Sequence, residues 1–383
     1  MDFELTEEQL AMKELAKDFA EKEILPTQEK DEKGHVFRPE LVKKMGALGM
    51  FGGIIPEEYG GTATGFLSTL VMNEEIARHS ASYGLPFNMQ VFGPALIILA
   101  FGTDEQKKKY VPALASADMF GCFAITEPNS GSDVVSMKTT AVEKGDFFAV
   151  NGQKTWISNA HVADACILYC HTDPQLKHKG MSAFIVELKK TKGVTTRPIE
   201  TKLGLHCAPT GEIVFEDAMI PKSAMLGKRG DGFKICMTML DNTRLSCASR
   251  AVGVAQAAED ASVKYAQERE QFGQKIAEFQ MIQEQIAMMH VECQAARLLV
   301  QRAASLKDKN VKCTLEVSVA KYYAAETAVK ASSEAVKIFG SYGFSSEYPV
   351  ERLYRDSKSF QIVEGTSNIQ KLIIASNIFG KKK

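Results

Sequence analysis

The chain carries no excess of charge of either sign: 46 Lys and Arg stand against 47 Asp and Glu, a formal charge of −1. No bulk positive field exists to draw in nucleic acid or an anionic lipid surface. No run approaches the ~20 uninterrupted apolar residues of a membrane helix. The apolar window 95–101 is far shorter, so no membrane insertion is expected. The eight cysteines form no CxxC pair, and the seven His form neither HExxH nor a cluster with Cys, so no metal site is expected. Cys166 and Cys170 alternate with Leu168, which reads as one face of a buried strand carrying reduced thiols. The opening Met1-Asp2-Phe3-Glu4 has no signal-peptide or Arg-rich transit character. A cytoplasmic bacterial protein is therefore expected in preference to a processed mitochondrial matrix one.

What is present is ordinary in bulk. The 383 residues are 45% apolar and 24% charged, with 12 Pro and 28 Gly, too few for a low-complexity chain. One Trp, 21 Phe and 16 Met point to a large, adaptable core, and the length suits two or three domains.

The hydrophobic period divides the chain. Helical spacing marks the first third, opened by the capping box Thr6-Glu7-Glu8-Gln9. It continues over 39–48, 69–79 and 105–114, the last with a break expected at Pro112. Residues 56–61 read as a Gly-rich loop. From Gly121 the period is that of strands, and Asn151-Gly152 between 146–150 and 154–157 predicts a hairpin. Strands are expected at 165–169, 182–186 and 212–215, with connections too short for parallel crossovers. Past Gly232 long Ala-rich helical patterns return at 240–268, 279–306, 315–339 and 368–378. The expected fold class is α+β: a helical domain (1–120), a middle antiparallel β-barrel-like domain (121–231) and a C-terminal four-helix bundle (232–383).

No GxxxxGK[ST] and no strand-to-helix GxGxxG occurs, which disfavours a P-loop or nicotinamide Rossmann site. The small-polar run at 126–133, after the apolar Phe123-Ala124-Ile125, is either a turn or a cradle for an anion or polar ring edge. Glu364 follows Ile362-Val363 and precedes Gly365. It is a general base whose pKa is raised by burial, or a surface acid near a helix start. Arg269 at a helix end pairs with a carboxylate or with a diphosphate, and Asp241-Asn242-Thr243-Arg244 near a helix start is as open. The tail Lys381-Lys382-Lys383 reads as a solvated end.

Taken in order, these motifs resemble the acyl-CoA dehydrogenase flavoprotein family along essentially the whole chain. The resemblance rests on FAITEPNSGSD (123–133), NGQKTWIS (151–158), LDNTR (240–244), REQFG (269–273), IFGSYGF (338–344), EYPV (347–350), Arg355-Asp356 and EGTSNIQ (364–370). It implies FAD held between the β domain and the bundle of a homotetramer. Phe123, Ile125, Thr126, Trp156 and Ser158 would meet the flavin, and Ser132 the phosphate region of the ligands. Asp241 and Arg244 would contact the CoA. Arg269, Gln271 and Phe272 would reach the FAD of a neighbouring subunit, with Gln280, Lys337, Phe339, Gly340, Ser341, Thr366 and Asn368 as further FAD-side residues. Glu364 and Gly365 would meet the acyl thioester. Glu364 would remove the α-proton while flavin N5 receives the β-hydride. The Glu364 N–H and a ribityl hydroxyl would polarise the carbonyl, and an electron-transfer flavoprotein would accept the electrons.

Three departures bear on the cofactor: Ser158 replaces a commoner Thr, Lys337 a Gln and Ser341 a Gly. The glutaryl-CoA branch, which 121–123 and 210–213 resemble, places an Arg early in the helix after Ser82-Tyr83, where this chain has Gly84. Without that cation a distal carboxylate would be costly to bury. A short, branched or alicyclic acyl chain is expected, with Phe87, Met89 and Val91 lining the pocket and Asn88 and Gln90 as polar contacts. A glutaryl-type enzyme, an oxidase and a silent FAD- or acyl-CoA-binding protein are the alternatives.

Overall fold

The computed structural model describes residues 4–380; residues 1–3 of the N-terminal reading and the tail 381–383 lie outside them. The N-terminal helices are α1 (Glu7–Phe19), α2 (Leu25–Gly34), α3 (Pro39–Ala47), α4 (Gly65–His79), α5 (Ala81–Phe87), α6 (Leu96–Phe101) and α7 (Asp104–Ala115). The expected capping box forms: Gln9 N–H donates to Thr6 Oγ1 at 3.2 Å and Thr6 N–H to Gln9 Oε1 at 3.1 Å. Pro112 does not break α7, contrary to expectation. It sits in the last turn, where the carbonyl it leaves unbonded belongs to exposed Lys108.

Helices α5 and α6 are joined through Asn88–Ala95, a wide-turned helical segment with Pro94 inside it. The 21-residue run Ala81–Phe101 is long and apolar enough to span a membrane, but most of it is buried within the protein. Ser82, Gly84, Asn88 and Gln90 interrupt it, which is why a search for unbroken apolar residues passes over it. It is the central wall of the N-terminal helices.

Eight strands follow: β1 (Gly121–Ala124), β2 (Thr140–Lys144), β3 (Phe147–Ser158), β4 (Ala165–His171), β5 (Met181–Glu187), β6 (Val194–Pro198), β7 (Thr210–Pro221) and β8 (Met225–Leu226). They form one sheet in the order β6-β7-β3-β2-β4-β5-β8, with β1 beside β4, an open ladder not closed into a barrel. Most pairs are antiparallel, but β1 and β4 run parallel, because the β2–β3 hairpin rather than a helix separates them. Strand β4 is buried on both faces. Cys166, Leu168 and Cys170 join Phe148, Val150 and Phe215, while Ile167 and Tyr169 join the core shared with the helices.

The hairpin expected at Asn151-Gly152 is displaced. Strand β3 runs straight through it, and the two-residue turn is Gly145-Asp146, between the paired Lys144 and Phe147. Asn151-Gly152 marks instead a bulge against β7. A Cβ on Gly152 would lie 2.4 Å from Thr139 Oγ1, and the Asn151 amide pairs with Asp217, donating to its Oδ1 at 2.9 Å.

The C-terminal part holds α8 (Gly232–Glu268), the small hairpin β9 (Glu270–Gln271) and β10 (Gln274–Lys275), α9 (Gln280–Asp308), α10 (Thr314–Phe339), α11 (Pro349–Phe360) and α12 (Ser367–Ile378). The four expected helices are found, and α11 is an addition. Its buried stripe of Val350, Leu353, Asp356, Ser357 and Phe360 contains two polar residues that mask the helical period. Helix α10 packs on α8, α9, α11 and α12 through alanines, among them Ala320, Ala324, Ala328 and Ala331. Helix α4 lies on α8 at Gly253, where a Cβ would come 2.3 Å from the Glu74 carbonyl. That contact makes the N-terminal helices and the bundle one packed body.

Asp356 fastens α11 to the loop before β7, its Oδ1 accepting the Leu205 N–H at 2.6 Å. Burial, reinforced by the charge of Glu32, pushes its carboxyl up to about 6. A carboxyl raised in the folded state stabilises most below its unfolded pKa of ~4, and that contribution is lost as pH rises through 6. Asp356→Asn keeps the acceptor and removes the titration. Urea melts of both proteins between pH 4.5 and 7.5 should show the stability of the native protein falling relative to the variant as pH rises, by about 2 kcal/mol across that window.

Candidate active site

The turn that carries Glu364 lies between α11 and α12, with Glu364 at φ +58° and Gly365 at φ +87°. Thr366 caps α12 by accepting the Ile369 N–H at 3.3 Å. Four helices grip this turn. Asn88, from the segment after α5, donates to Glu364 Oε1 at 2.8 Å, and Thr243 of α8 donates to Oε2 at 2.6 Å. Arg244 Nε reaches the Glu364 carbonyl at 3.1 Å, and Lys321 of α10 reaches the Gly365 carbonyl at 2.7 Å. Gln370 of α12 closes back on both carbonyls. Both carboxylate oxygens accept, the pattern of an ionised acid. Among the described residues the Glu364 N–H donates no hydrogen bond, so it is free to meet an incoming oxygen.

Of the two readings of Glu364 left open by the sequence, a buried base and a surface acid near a helix start, this arrangement matches neither fully. Ile362 and Val363 are largely exposed, and Glu364 is half-buried between an amide and a hydroxyl. Asp241 and Arg244 lie well inside α8, not near its start. Arg244 is buried and is engaged with the Glu364 carbonyl and, at 3.1 Å, with Asp241 Oδ1; Asp241 Oδ2 accepts from Thr314 at 2.8 Å. Asn88, Thr243, Lys321 and Gln370 were not singled out as partners of the acid. All four are fully or nearly fully buried polar groups inside helical patterns, where polarity was the one available signal. Gln90 is occupied elsewhere, donating to the Leu114 and Met119 carbonyls and accepting from Gly121. Phe87 packs edge-on against Phe51 in the main core, while Met89 forms a small cluster with Leu85 and Ala208, packed by Phe123.

A second group gathers at the ends of β1 and β3. Thr155 N–H donates to the Thr126 carbonyl at 2.9 Å, tying the loop after Ile125 to β3. The bulge between Lys154 and Ile157 turns Trp156 outward at φ +59°, leaving this large ring 59% exposed, with Ser158 two residues further along β3. Ser132 lies on the exposed part of the loop. An exposed indole held at positive φ, on a strand tied to the Thr126 loop, fits a planar polar ring system such as a flavin.

This corner rests on a buried ion pair. Lys154 Nζ donates to Glu127 Oε1 at 2.8 Å and to the Ile125 carbonyl at 3.0 Å. Glu127 also accepts the backbone N–H of Lys138 and of Thr139. Burial opposes its charge, but Lys154 and these donors hold its carboxyl below the usual range.

A third group is remote. Arg269 ends α8 with its guanidinium over Tyr342, and Phe339 stacks on Tyr265 with ring centres 4.0 Å apart. Gln271 and the 95% exposed Phe272 form the β9–β10 tip, Gln280 is exposed at the start of α9, and Gly340 and Ser341 are exposed just after α10. Lys337 pairs with Glu334 at 2.6 Å. Lys321 and Lys337 are both on α10, so about 24 Å of helix separates this group from the Glu364 turn. Asn368 is exposed on the first turn of α12.

Comparison with known proteins gives a single answer. Family models match in succession: acyl-CoA dehydrogenase N-terminal domain at 6–118, middle domain at 122–218 and C-terminal domain at 230–379. A glutaryl-CoA dehydrogenase of Desulfococcus multivorans is 46% identical, the match covering 100% of this chain and 99% of that protein. A chain in a structure described as the electron transferring flavoprotein of Acidaminococcus fermentans superposes with a TM-score of 0.98 at 40% identity, covering 100% of both chains. A glutaryl-CoA dehydrogenase of Mycobacterium smegmatis, solved with FADH2, superposes with a TM-score of 0.94 at 28% identity, covering 99% of this chain and 96% of that one.

The buried pair has a measurable consequence. Lys154→Met would leave the Glu127 carboxylate buried without its cation and should cost about 3–5 kcal/mol of stability. Adding Glu127→Gln should restore much of that in denaturant melts.

Proposed function

The chain belongs to the acyl-CoA dehydrogenase family, and from that premise we propose that it oxidises a short acyl-CoA to the 2-enoyl-CoA with Glu364 as base. The observation that carries this is the Glu364 carboxylate, fixed by Asn88 and Thr243 beside its own free N–H. A thioester carbonyl placed on that N–H would bring its α-carbon to the carboxylate. The N–H favours the charge that develops on the carbonyl oxygen as the α-proton leaves. Arg244 and Lys321 hold the two carbonyls of the turn, so the base keeps its aim as its charge changes. FAD, when bound, supplies the acceptor for the hydride that leaves the β-carbon.

Thr126, Trp156 and Ser158 would hold the flavin ring, with Phe123 and Ile125 behind it. Thr366 and Asn368, at the N-terminus of α12, would approach from the bundle side. Ser132 would serve the phosphate region. Asp241 and Arg244 would act on the CoA ester through the turn they support.

The remote group fits a cofactor shared with another copy in a homotetramer. Phe272, Met281, Met288 and Val291 expose apolar side chains along the β9–β10 tip and α9, an uncovered face on an otherwise well-packed chain. Arg269, Gln271, Gln280, Lys337, Phe339, Gly340 and Ser341 border it. The three segments 1–120, 121–231 and 232–383 would act as the domains of each subunit. An electron-transfer flavoprotein is the electron acceptor most in keeping with the likeness to the Acidaminococcus chain.

Glu364→Gln should retain FAD and bind acyl-CoA while slowing anaerobic flavin bleaching by at least 10²–10⁴-fold, the usual contribution of a general base. Bleaching at the native rate would remove Glu364 from this role. Thr243→Val, which deletes one anchor of the carboxylate, should slow bleaching by roughly tenfold with little change in KM, measured by stopped flow.

A further inference from the structure

One buried charge has no counterpart in this scheme. Arg250 lies on α8 with 1% of its surface exposed, and its Nε and Nη2 have no hydrogen-bond partner. No carboxylate forms an ion pair with it among the described residues. Its surroundings are the Phe360 ring, 5.7 Å from the guanidinium carbon, and the backbone of Gly84. A Cβ on Gly84 would meet Arg250 Cγ and Cδ at 3.0 Å, so the missing side chain on one helix makes room for the long one on the other.

The position of this cation relative to the base follows from helix geometry. Thr243 and Arg250 are seven residues apart on α8, two turns along the same face and about 10 Å in axial rise. Asn88 and Gly84 are one turn apart on the facing helix. The pair that grips Glu364 and the pair formed by Gly84 and Arg250 therefore follow one another along the same α5–α8 seam. Side chains on a helix lean toward its N-terminus, which directs the guanidinium back toward Thr243 and Glu364. Burial disfavours the charge of this guanidinium, and the Glu364 carboxylate is among the groups that favour it. An acyl chain running from the Glu364 turn along this seam would end at a desolvated, unpaired planar cation.

Resting on the dehydrogenase reading above, we propose that Arg250 is the distal anchor of the acyl pocket and that the substrate is a short dicarboxylic acid monothioester of CoA. The cation absent from position 84 is supplied by α8. A carboxylate would give the buried guanidinium the two-pronged partner it lacks, removing the cost of an unpaired charge. A monocarboxylic chain of equal length would leave that cost in place.

The test uses Glu364→Gln holoenzyme, in which binding is read without turnover. Calorimetry should find succinyl- or glutaryl-CoA bound about 10- to 100-fold more tightly than butyryl- or valeryl-CoA, the usual range for a hydrogen-bonded charge pair. Adding Arg250→Gln should abolish this preference, and Arg250→Lys should restore part of it. The native enzyme, assayed by flavin bleaching with glutaryl-CoA and its neutral amide analogue, should show the same ratio in kcat/KM, and this arm stands even if the Arg250 variants fail to fold. Equal binding of the two classes, or a preference that survives Arg250→Gln, overturns the assignment. No bleaching with any ester, while the calorimetric preference holds, would overturn the dehydrogenase reading and leave the Arg250 subsite standing.

Discussion

The constraint on which the site depends is the Glu364 turn, a left-handed pair of residues that no single helix could hold in place. Two residues in succession at positive φ are costly when the first is not glycine. The conformation persists because four helices meet around it and each contributes a donor: Asn88 after α5, Thr243 and Arg244 from α8, Lys321 from α10 and Gln370 from α12. The close alanine packing of α10 and the Gly253 contact between α4 and α8 bring those helices within reach. Packing that looks generic in composition is thus what sets the position of one carboxylate and one free N–H.

Much of the architecture was legible because it lies in local patterns. The period change at Gly121, the return of long Ala-rich helices after Gly232 and the Thr6 capping box are all short-range signals, and the structure follows them. Where the reading failed, a local signal had been given a different tertiary use. Asn151-Gly152 has turn chemistry, yet the strand continues because β7 provides a partner across the bulge and Thr139 fills the space beside Gly152. Pro112 breaks helices in their interiors, but here it falls in the final turn. Helix α11 hid because its buried face includes Asp356 and Ser357, whose partners lie in the loop before β7 and on α10.

The site was legible as motifs but not as contacts. The loop carrying Thr126 is tied to β3 at Thr155, the neighbour of Trp156, and Glu364 does sit at a turn before a helix. What motifs could not convey is that the acid is polar on both oxygens. Its partners Asn88 and Thr243 are separated from it by 276 and 121 residues. A single sequence carries no record of such pairings, so Ile362 and Val363 beside the acid could not decide how far it is buried. The same blindness concealed Arg250, since the test for a distal cation looked only at position 84 and not at the helix packed against it.

The buried cations of this chain separate by how each is satisfied. Lys154 has a carboxylate, Glu127, and with it holds the corner that carries Trp156. Arg244 has a carboxylate, Asp241, together with the Glu364 carbonyl, Lys321 has the Gly365 carbonyl, and both hold the Glu364 turn. Arg250 has neither, although it is as deeply buried as the others. A folded chain keeps an unpaired guanidinium out of water only at a considerable free-energy cost, and an apolar residue of similar volume would avoid it. Gly84 adds to the argument, because its lack of a side chain leaves space for the arginine stem at the narrowest approach of the two helices. A residue whose burial costs stability, whose space is cleared by a neighbour and whose Nε and Nη2 find no partner in the fold is better explained by a ligand than by packing.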